Sequence, residues 1–398
     1  MPEEIYERKR VMSNRFSLVF VSNYINHHQI PLSNELYKVL GEKYHFVQTE
    51  AVEQERINMG WEDKASKLPY VNLYYENPDE NQKLIMDADM VVFGGTDDED
   101  YIMPRLEAGK PVIRYSERIY KTGRWKFISP RGLIKKYHDH TRFRNNPVYL
   151  LCAGGYVAGD FRLIGAYPKK KYKWGYFPET KEYDIEKLIA HKRELTEQNG
   201  GKVSILWAGR FIDWKHPEMA IKLADKLRGL DYKFHLTMIG GGKMEPELQQ
   251  MVKNKQLDSF VTFAGYKTPQ EVRRYMEDSE IYLFTSDRQE GWGAVLNEAM
   301  NSGCACVASG AIGAVPYLLR DGINGYVFAS GNQRELNRRT EKLIVDVSER
   351  KRIGITAYED ILYCWNACEA ARSLVDMCKD ILSGRRPIYK IEGPGSRA

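Results

Sequence analysis

EIYLFTSDRQEGWGAVLNEAMNSG, residues 280–303, decides how the rest of the chain is read. Ile281–Thr285 is an apolar run of strand length, and the polar SDRQ at 286–289 makes a turn. Gly291, Trp292 and Gly293 then lead into a helical run, Ala294–Met300, closed by Gly303. Two carboxylates bracket this strand-to-helix corner, Glu290 before the glycines and Glu298 inside the helix. A helix that opens on a glycine-rich turn presents free N–H groups and the positive end of its dipole, which suits an anion. A carboxylate beside such a site accepts hydrogen bonds from sugar hydroxyls. Together they point to a phosphorylated sugar.

Outward from the corner, short apolar strands alternate with helices. From Val203 the expected order is strand 203–208, helix 216–228, strand 234–239, Gly240-Gly241-Gly242, helix 245–254, strand 260–264 and helix 269–278. After the corner come strand 304–308, helix 313–320, strand 325–328, a helix over 332–346 and a helical stretch from about 349 to 382. The first half repeats the alternation with strands at 16–22, 44–49, 68–73, 89–93, 111–115, 148–152 and 173–177. Such alternation is the signature of parallel sheets covered by helices on both faces. The charged segment 179–202, ending Asn199-Gly200-Gly201, carries no strand signal and marks a domain boundary. The expected organisation is therefore an α/β chain of two doubly wound domains facing a cleft. A first domain covers 1–178, a linker 179–202, a second domain 203–360, and a C-terminal helix with a loose tail 361–398, the helix able to pack back on the first domain.

A chain of 398 residues has ample length for two cores, and 43% hydrophobic with 28% charged residues is ordinary for a globular protein. The net charge of +5 is too small to argue for nucleic acid. It is unevenly placed, however: residues 114–178 hold 15 Lys or Arg against 3 Asp or Glu. Six cysteines without zinc-like spacing, two of them in the apolar CACV at 304–307, read as buried thiols in a reducing compartment. The charged N-terminus is unlike a signal peptide, and no run reaches the ~20 apolar residues of a spanning helix. The expected location is cytoplasmic, with peripheral attachment to the inner membrane face as an open alternative.

The strand at 203–208 is followed by GRFIDWK. Arg210 and Lys215, five residues apart at the mouth of a parallel sheet, suit a diphosphate. The glycine turn at 240–242 and FAGY at 263–266 follow the next two strands on the same edge. From about 203 to 330 the chain resembles the second domain of family-4 retaining glycosyltransferases, of the group 1 type, which have the two-Rossmann GT-B fold. The resemblance rests on AGRF with Lys215, the IGGG turn, FAGY with Pro269, the E-x7-E pair Glu290–Glu298, and AVPYLLRDGINGYVF at 314–328.

The resemblance implies roles. Arg210 and Lys215 neutralise the departing diphosphate, with Glu290 on the hydroxyls of the transferred sugar as the third catalytic residue. Gly209, Gly240 and Gly241 line the donor. Gly291, Trp292 and Gly293 offer backbone N–H groups to sugar and phosphate, Glu298 holds the ribose, and Gly265 and Tyr266 lie along the base. The donor is a nucleoside diphosphate sugar, retention needs no protein base, and neither a metal nor another cofactor is required.

In the first domain the loop after the first strand departs from the family's Gly-Gly pattern. Asn26, His27 and His28 stand there as candidates for the acceptor or phosphate side, with Gly94 and Gly95 at another strand end. Asp97–Asp100 superficially resembles a DxD metal site and His138-Asp139-His140 a metal cluster; the first is read as an acidic helix start, and two imidazoles in a basic segment do not make the second. The cations and aromatics of 114–178 fit either an anionic membrane surface or a solvated face. Single-stranded nucleic acid would use the same residue types, but the cleft argues against it. The resulting expectation is a retaining hexosyltransferase acting on a glycan, lipid-linked or small-molecule acceptor in bacterial-type surface polysaccharide or glycoconjugate synthesis. The alternatives are an epimerase or phosphorylase of the same fold, or a non-catalytic binding subunit.

Overall fold

Strands such as LVFVS and VYLLCA are apolar at successive positions, which suits a sheet buried on both faces. The structure, a computed structural model, describes residues 16–52, 68–123 and 128–398. The chain divides into two compact units, one running to Glu179 and resuming at Ala367–Ala398, the other spanning Thr180–Asn366.

The first unit contains strands β1 Leu18–Ser22, β2 Tyr44–Gln48, β3 Val71–Leu73, β4 Met90–Phe93, β5 Val112–Ser116, β6 Val148–Ala153 and β7 Lys171–Trp174. They form one parallel sheet in the order β3-β2-β1-β4-β5-β6-β7. Helices α1 Ile30–Leu40, α2 Pro78–Asp87, α3 Met103–Glu107, α4 Pro130–Asp139 and α5 Val157–Leu163 connect them. The second unit opens with α6 Ile185–Gln198. Its strands are β8 Val203–Ala208, β9 Phe234–Ile239, β10 Val261–Gly265, β11 Ile281–Phe284, β12 Ala305–Ser309 and β13 Tyr326–Phe328, parallel in the order β10-β9-β8-β11-β12-β13. Its other helices are α7 Glu218–Gly229, α8 Glu245–Asn254, α9 Pro269–Asp278, α10 Val295–Asn301, α11 Val315–Leu318, α12 Gln333–Val345 and α13 Val347–Tyr363. In each sheet the first strand of the unit lies inside the order, so the crossovers leave it in opposite directions. The loops after β1 and β4, and after β8 and β11, therefore part at the carboxyl edge and leave a crevice, the place where doubly wound sheets bind ligands.

Three expectations need correction. The segment 179–202 is not an open linker: α6 packs into the second unit, and its Lys192 is buried, donating to the carbonyls of Met276 at 2.8 Å and Ser279 at 2.6 Å. The helical stretch 349–382 is two helices, α13 and α14 Ala367–Leu382, broken at Cys364–Asn366 where the chain passes from one unit to the other. Helix α14 lies against α1 and buries Ala370, Ala371, Leu374 and Cys378, and a fully buried leucine such as Leu374 stabilises by about 1.5–3 kcal/mol. The last residues are not loose. Lys173 N–H donates to Ser396 at 2.7 Å and Gly395 N–H to Lys173 at 2.9 Å, so the C-terminal segment covers the β7 edge, which would otherwise stand unpaired. All six cysteines are free, and Cys304 and Cys306 are fully buried, as CACV predicts.

Candidate functional site

At the carboxyl edge of the second sheet the ends of three strands are laced together. Gly209 N–H donates to Ile239 at 3.0 Å, Gly240 to Gly265 at 2.9 Å, and Phe211 to Gly241 at 2.8 Å. Gly240 has φ 128°, and a Cβ there would stand 2.0 Å from the Gly209 carbonyl oxygen, so the loops can close only over glycine. Tyr266, 63% exposed, lays its ring against Gly241, leaving an aromatic face open beside a backbone floor.

The loop after β8 continues into a turn at Asp213–Lys215. Trp207 Nε1 donates to Thr285 Oγ1 at 2.8 Å, whose hydroxyl donates to the Lys215 carbonyl at 2.7 Å. Asp287 N–H donates to the Trp214 carbonyl at 2.9 Å. These bonds tie the loop after β8 to the loop after β11, across the crevice between their strands. Trp214 is the platform for both predicted cations. The exposed Arg210 guanidinium lies 5.8 Å from its ring centre, and the Lys215 ammonium 4.7 Å from it and 5.7 Å from Phe284. Lys215 Nζ also donates to Glu290 Oε2, with the two side chains only 14% and 11% exposed. His216, with φ 50°, ends the turn. Its hydrogen bond to Glu218 raises its pKa above the ordinary histidine value, with Asp287 adding to the shift.

The quoted corner folds as expected, but α10 has seven residues, starting at Val295. Gly313 N–H donates to the Glu290 carbonyl at 3.2 Å, and Ala314 N–H to that of Trp292 at 3.1 Å. A Cβ on Gly313 would stand 1.6 Å from the Gly291 carbonyl oxygen. The loop after β12 thus seats the corner by direct backbone contact. The Trp292 indole is fully buried, and its Nε1 donates to Asn297 at 2.9 Å, so Gly291–Gly293 has only backbone to offer a ligand. Glu298 lies on α10. The buried Arg273 of α9 donates to its carbonyl at 3.2 Å and to Asn301 at 2.9 Å, and approaches its carboxylate at 3.9 Å. Tyr282 donates to the Ala208 carbonyl at 3.2 Å. Burial, chiefly, holds its phenol well above the usual pKa, with the charges of Glu298 and Glu290 among the further causes.

In the first unit, Asn26 Oδ1 accepts from His28 N–H at 2.9 Å, and its carbonyl accepts from Gln29 at 2.8 Å, starting α1. The rings of His27 and His28 meet at 3.8 Å, and burial, then the charge of His27, keeps the His28 pKa well below the ordinary value. Gln29 Nε2 donates to Ser22 Oγ at 3.3 Å, and the backbone of Gly95 is pressed against the same hydroxyl. Asn26–His28 and Gly94-Gly95 thus gather at the crevice between β1 and β4. Within the second unit Lys215 bonds Glu290 and shares the Trp214 ring with Arg210, while Gly209, Gly240, Gly241 and Gly265 are laced by backbone bonds at the ends of β8, β9 and β10. Sequence reading missed Trp214, Thr285, Arg273 and Gly313. Only Trp214, an aromatic between two candidate cations, carried a visible signal.

Residues 189–360 match the family described as Glycosyl transferases group 1. An uncharacterized glycosyltransferase of Methanocaldococcus jannaschii is 29% identical over 177 residues, covering 44% of this chain and 45% of its own length. The amylovoran biosynthesis glycosyltransferase AmsK of Erwinia amylovora is 28% identical over 137 residues, 33% of each chain. The chain thus spans less than half the length of these relatives. Anabaena HepE, solved in complex with UDP, has a TM-score of 0.70 at 15% identity and covers 92% of this chain and 100% of its own. No helix among the described residues is long and apolar enough to cross a membrane. The chain has the GT-B glycosyltransferase fold, and its second unit carries a glycosyltransferase group 1 domain.

Proposed function

We propose that this protein is a retaining glycosyltransferase of the E-x7-E, family-4 type. It moves a sugar from a nucleoside diphosphate sugar to an acceptor hydroxyl in surface polysaccharide or glycoconjugate synthesis. The observation that carries the reading is the Lys215–Glu290 pair, set beside Arg210 on the Trp214 platform at the crevice between β8 and β11. Two cations there meet a diphosphate, and a carboxylate one bond away meets sugar hydroxyls. The names of relatives support it: AmsK acts in amylovoran biosynthesis, and HepE has been solved with UDP and with UDP-glucose.

In the reaction the bond from the sugar's anomeric carbon to the diphosphate oxygen breaks, and the electron pair leaves with the diphosphate. Arg210 and Lys215 stabilise that charge as it develops. The acceptor oxygen bonds to the same face of the anomeric carbon, and its proton passes to a phosphate oxygen of the leaving group. Glu290, released from Lys215 by the incoming phosphate, accepts from the sugar hydroxyls. Glu298 accepts from the ribose, Tyr266 and Gly265 lie along the base, and the backbone of Gly209, Gly240, Gly241 and Gly291–Gly293 lines the donor. Charge neutralisation by side chains leaves no step that requires a metal. The test is release of nucleoside diphosphate from a panel of nucleotide sugars, with and without acceptors, followed by the anomeric configuration of the product. Release that never depends on an acceptor, or an inverted product, would refute the proposal.

A membrane partner is favoured by α4. Its outward face exposes Leu133, Ile134 and Tyr137, Ile134 to 69%, beside Arg131 and Lys135, a mixture suited to an anionic bilayer surface. The protein should co-sediment with anionic vesicles and not with neutral ones, and Ile134→Glu should reduce that binding.

A further inference from the structure

Helix α10, which carries Glu298, has seven residues, about two turns, and its N-cap Ala294 supplies no side-chain bond. A helix that short is not stable by itself in water, so its place is set by what grips its ends. Before its start, the loop after β12 seats the corner through Gly313 and Ala314. At its other end the grip comes from α9. Arg273 is 4% exposed, and its Nη1 donates to the Glu298 carbonyl at 3.2 Å, to Asn301 Oδ1 at 2.9 Å and to Ser302 Oγ at 3.5 Å. The last carbonyls of a helix lack intrahelical donors and form the negative end of its dipole, so a buried guanidinium is stabilised there. Asn301, 1% exposed, extends the network. Lys181 N–H donates to its Oδ1 at 2.9 Å, and its Nδ2 donates to the Lys181 carbonyl at 3.0 Å. A carboxamide offers both the acceptor and the donor that this pairing needs. The Lys181 and Tyr183 side chains then close on Glu277, one turn along α9 from Arg273, at 2.9 and 2.6 Å. The helix of Glu298 is thereby fastened to the segment by which the chain enters the second unit.

We propose that Arg273 and Asn301 are positioning residues for Glu298, and that through it they set how strongly the donor site tells ribose from a sugar without its hydroxyls. This rests on the ribose role given to Glu298 above. Arg273 holds the Glu298 carbonyl, while the carboxylate lies 3.9 Å from its guanidinium, beyond hydrogen-bond reach. Its influence on the carboxylate therefore runs through the place of the helix. The Glu298 side chain is only 17% exposed, so it has little room to follow a ligand if the helix is displaced. A carboxylate that accepts from ribose hydroxyls needs them within hydrogen-bond distance, and a shift of about 1 Å is enough to lose them. The diphosphate contacts proposed for Arg210 and Lys215 are carried by the loop after β8. Loosening α10 thus subtracts the ribose contacts and keeps the others.

The experiment is calorimetric titration of the full chain with UDP, GDP and ADP and with their 2′,3′-dideoxy forms. Wild type should prefer the ribose form about tenfold or more, as expected for hydrogen bonds to a charged acceptor, and Glu298→Ala should abolish the preference. Arg273→Met and Asn301→Leu should each bring the ratio to within about threefold of unity, with affinity for the dideoxy form kept within about threefold of wild type. A general structural role would weaken both forms alike. Arg273→Lys, which keeps the charge without the planar fork, should restore only part of the ratio. A wild-type ratio in the Arg273→Met and Asn301→Leu variants, or equal weakening or loss of both forms in all three variants, would overturn the proposal. Glu298→Ala tells the two readings apart. If it keeps the wild-type ratio, the ribose role falls and the proposal with it; if it abolishes the ratio while the Arg273 and Asn301 variants keep it, only the positioning role falls.

Discussion

Replacing Lys215 by alanine separates two effects, the ion pair it makes in the structure and the proposed stabilisation of the leaving diphosphate. Lys215 lies 4.7 Å from the Trp214 ring centre and bonds Glu290, and the pair is largely but not wholly withdrawn from water. Removing one partner of a fully buried pair costs about 3–5 kcal/mol; for a pair that keeps some solvent we expect about 1–2 kcal/mol. The catalytic effect is separate. Loss of one preformed stabiliser of developing negative charge costs about 2.7–4 kcal/mol, or roughly 100- to 1,000-fold in turnover. The double variant Lys215→Ala/Glu290→Gln leaves no uncompensated carboxylate, so it should recover most of the lost stability and none of the lost activity. Denaturant unfolding and nucleoside diphosphate release on the four proteins of the cycle measure both terms. Lys215→Ala with wild-type stability and turnover within about threefold of wild type would refute the reasoning. So would a double variant no more stable than the single one.

Trp214→Ala removes the face that Arg210 and Lys215 share; donor KM should rise about tenfold, and denaturant unfolding should show a loss of about 1–2 kcal/mol, since each cation–ring contact contributes about 0.5–2 kcal/mol. Gly313→Ala would place a methyl 1.6 Å from the Gly291 carbonyl oxygen; the corner must move, and turnover should fall about 100-fold or more, as expected for misplacing a reacting group by about 1 Å. Below about pH 6.5 the first unit should lose stability as pH falls. His28 and His140 are held well below the ordinary histidine pKa chiefly by burial, so the unfolded chain binds more protons and each histidine contributes up to about 1.4 kcal/mol per pH unit. Unfolding at pH 5.5 and 7 on wild type and His140→Phe measures this, with a shallower slope expected in the variant.

The second unit was legible because its strands are short apolar runs closed by glycine turns, and because T-P-Q-E at 268–271 is a capping box that fixes the start of α9 at Pro269. The basic region of the first unit was not. Helix α4 turns Leu133, Ile134 and Tyr137 outward, against the usual pattern, and so gives no inward apolar stripe to read. Helix α6 buries only Lys192, so its sequence looks like a solvated linker. The break at Cys364–Asn366 contains neither glycine nor proline, and Gly393-Pro394-Gly395 suggests looseness where the backbone in fact pairs with β7. In the site, the residue types and loops were readable, while the Lys215–Glu290 bond, made across 75 positions, exists only in the folded chain. The same is true of Arg273 meeting Glu298 and Asn301.

The central claim is that the crevice between β8 and β11 holds a nucleoside diphosphate on Arg210 and Lys215. Calorimetric titration of wild type, Arg210→Ala and Lys215→Ala with UDP, GDP, ADP and the corresponding monophosphates tests it directly. The account predicts saturable binding of at least one diphosphate, tighter than its monophosphate and weakened at least about tenfold in each variant. Absence of binding for every diphosphate, or binding that neither variant alters, would contradict it.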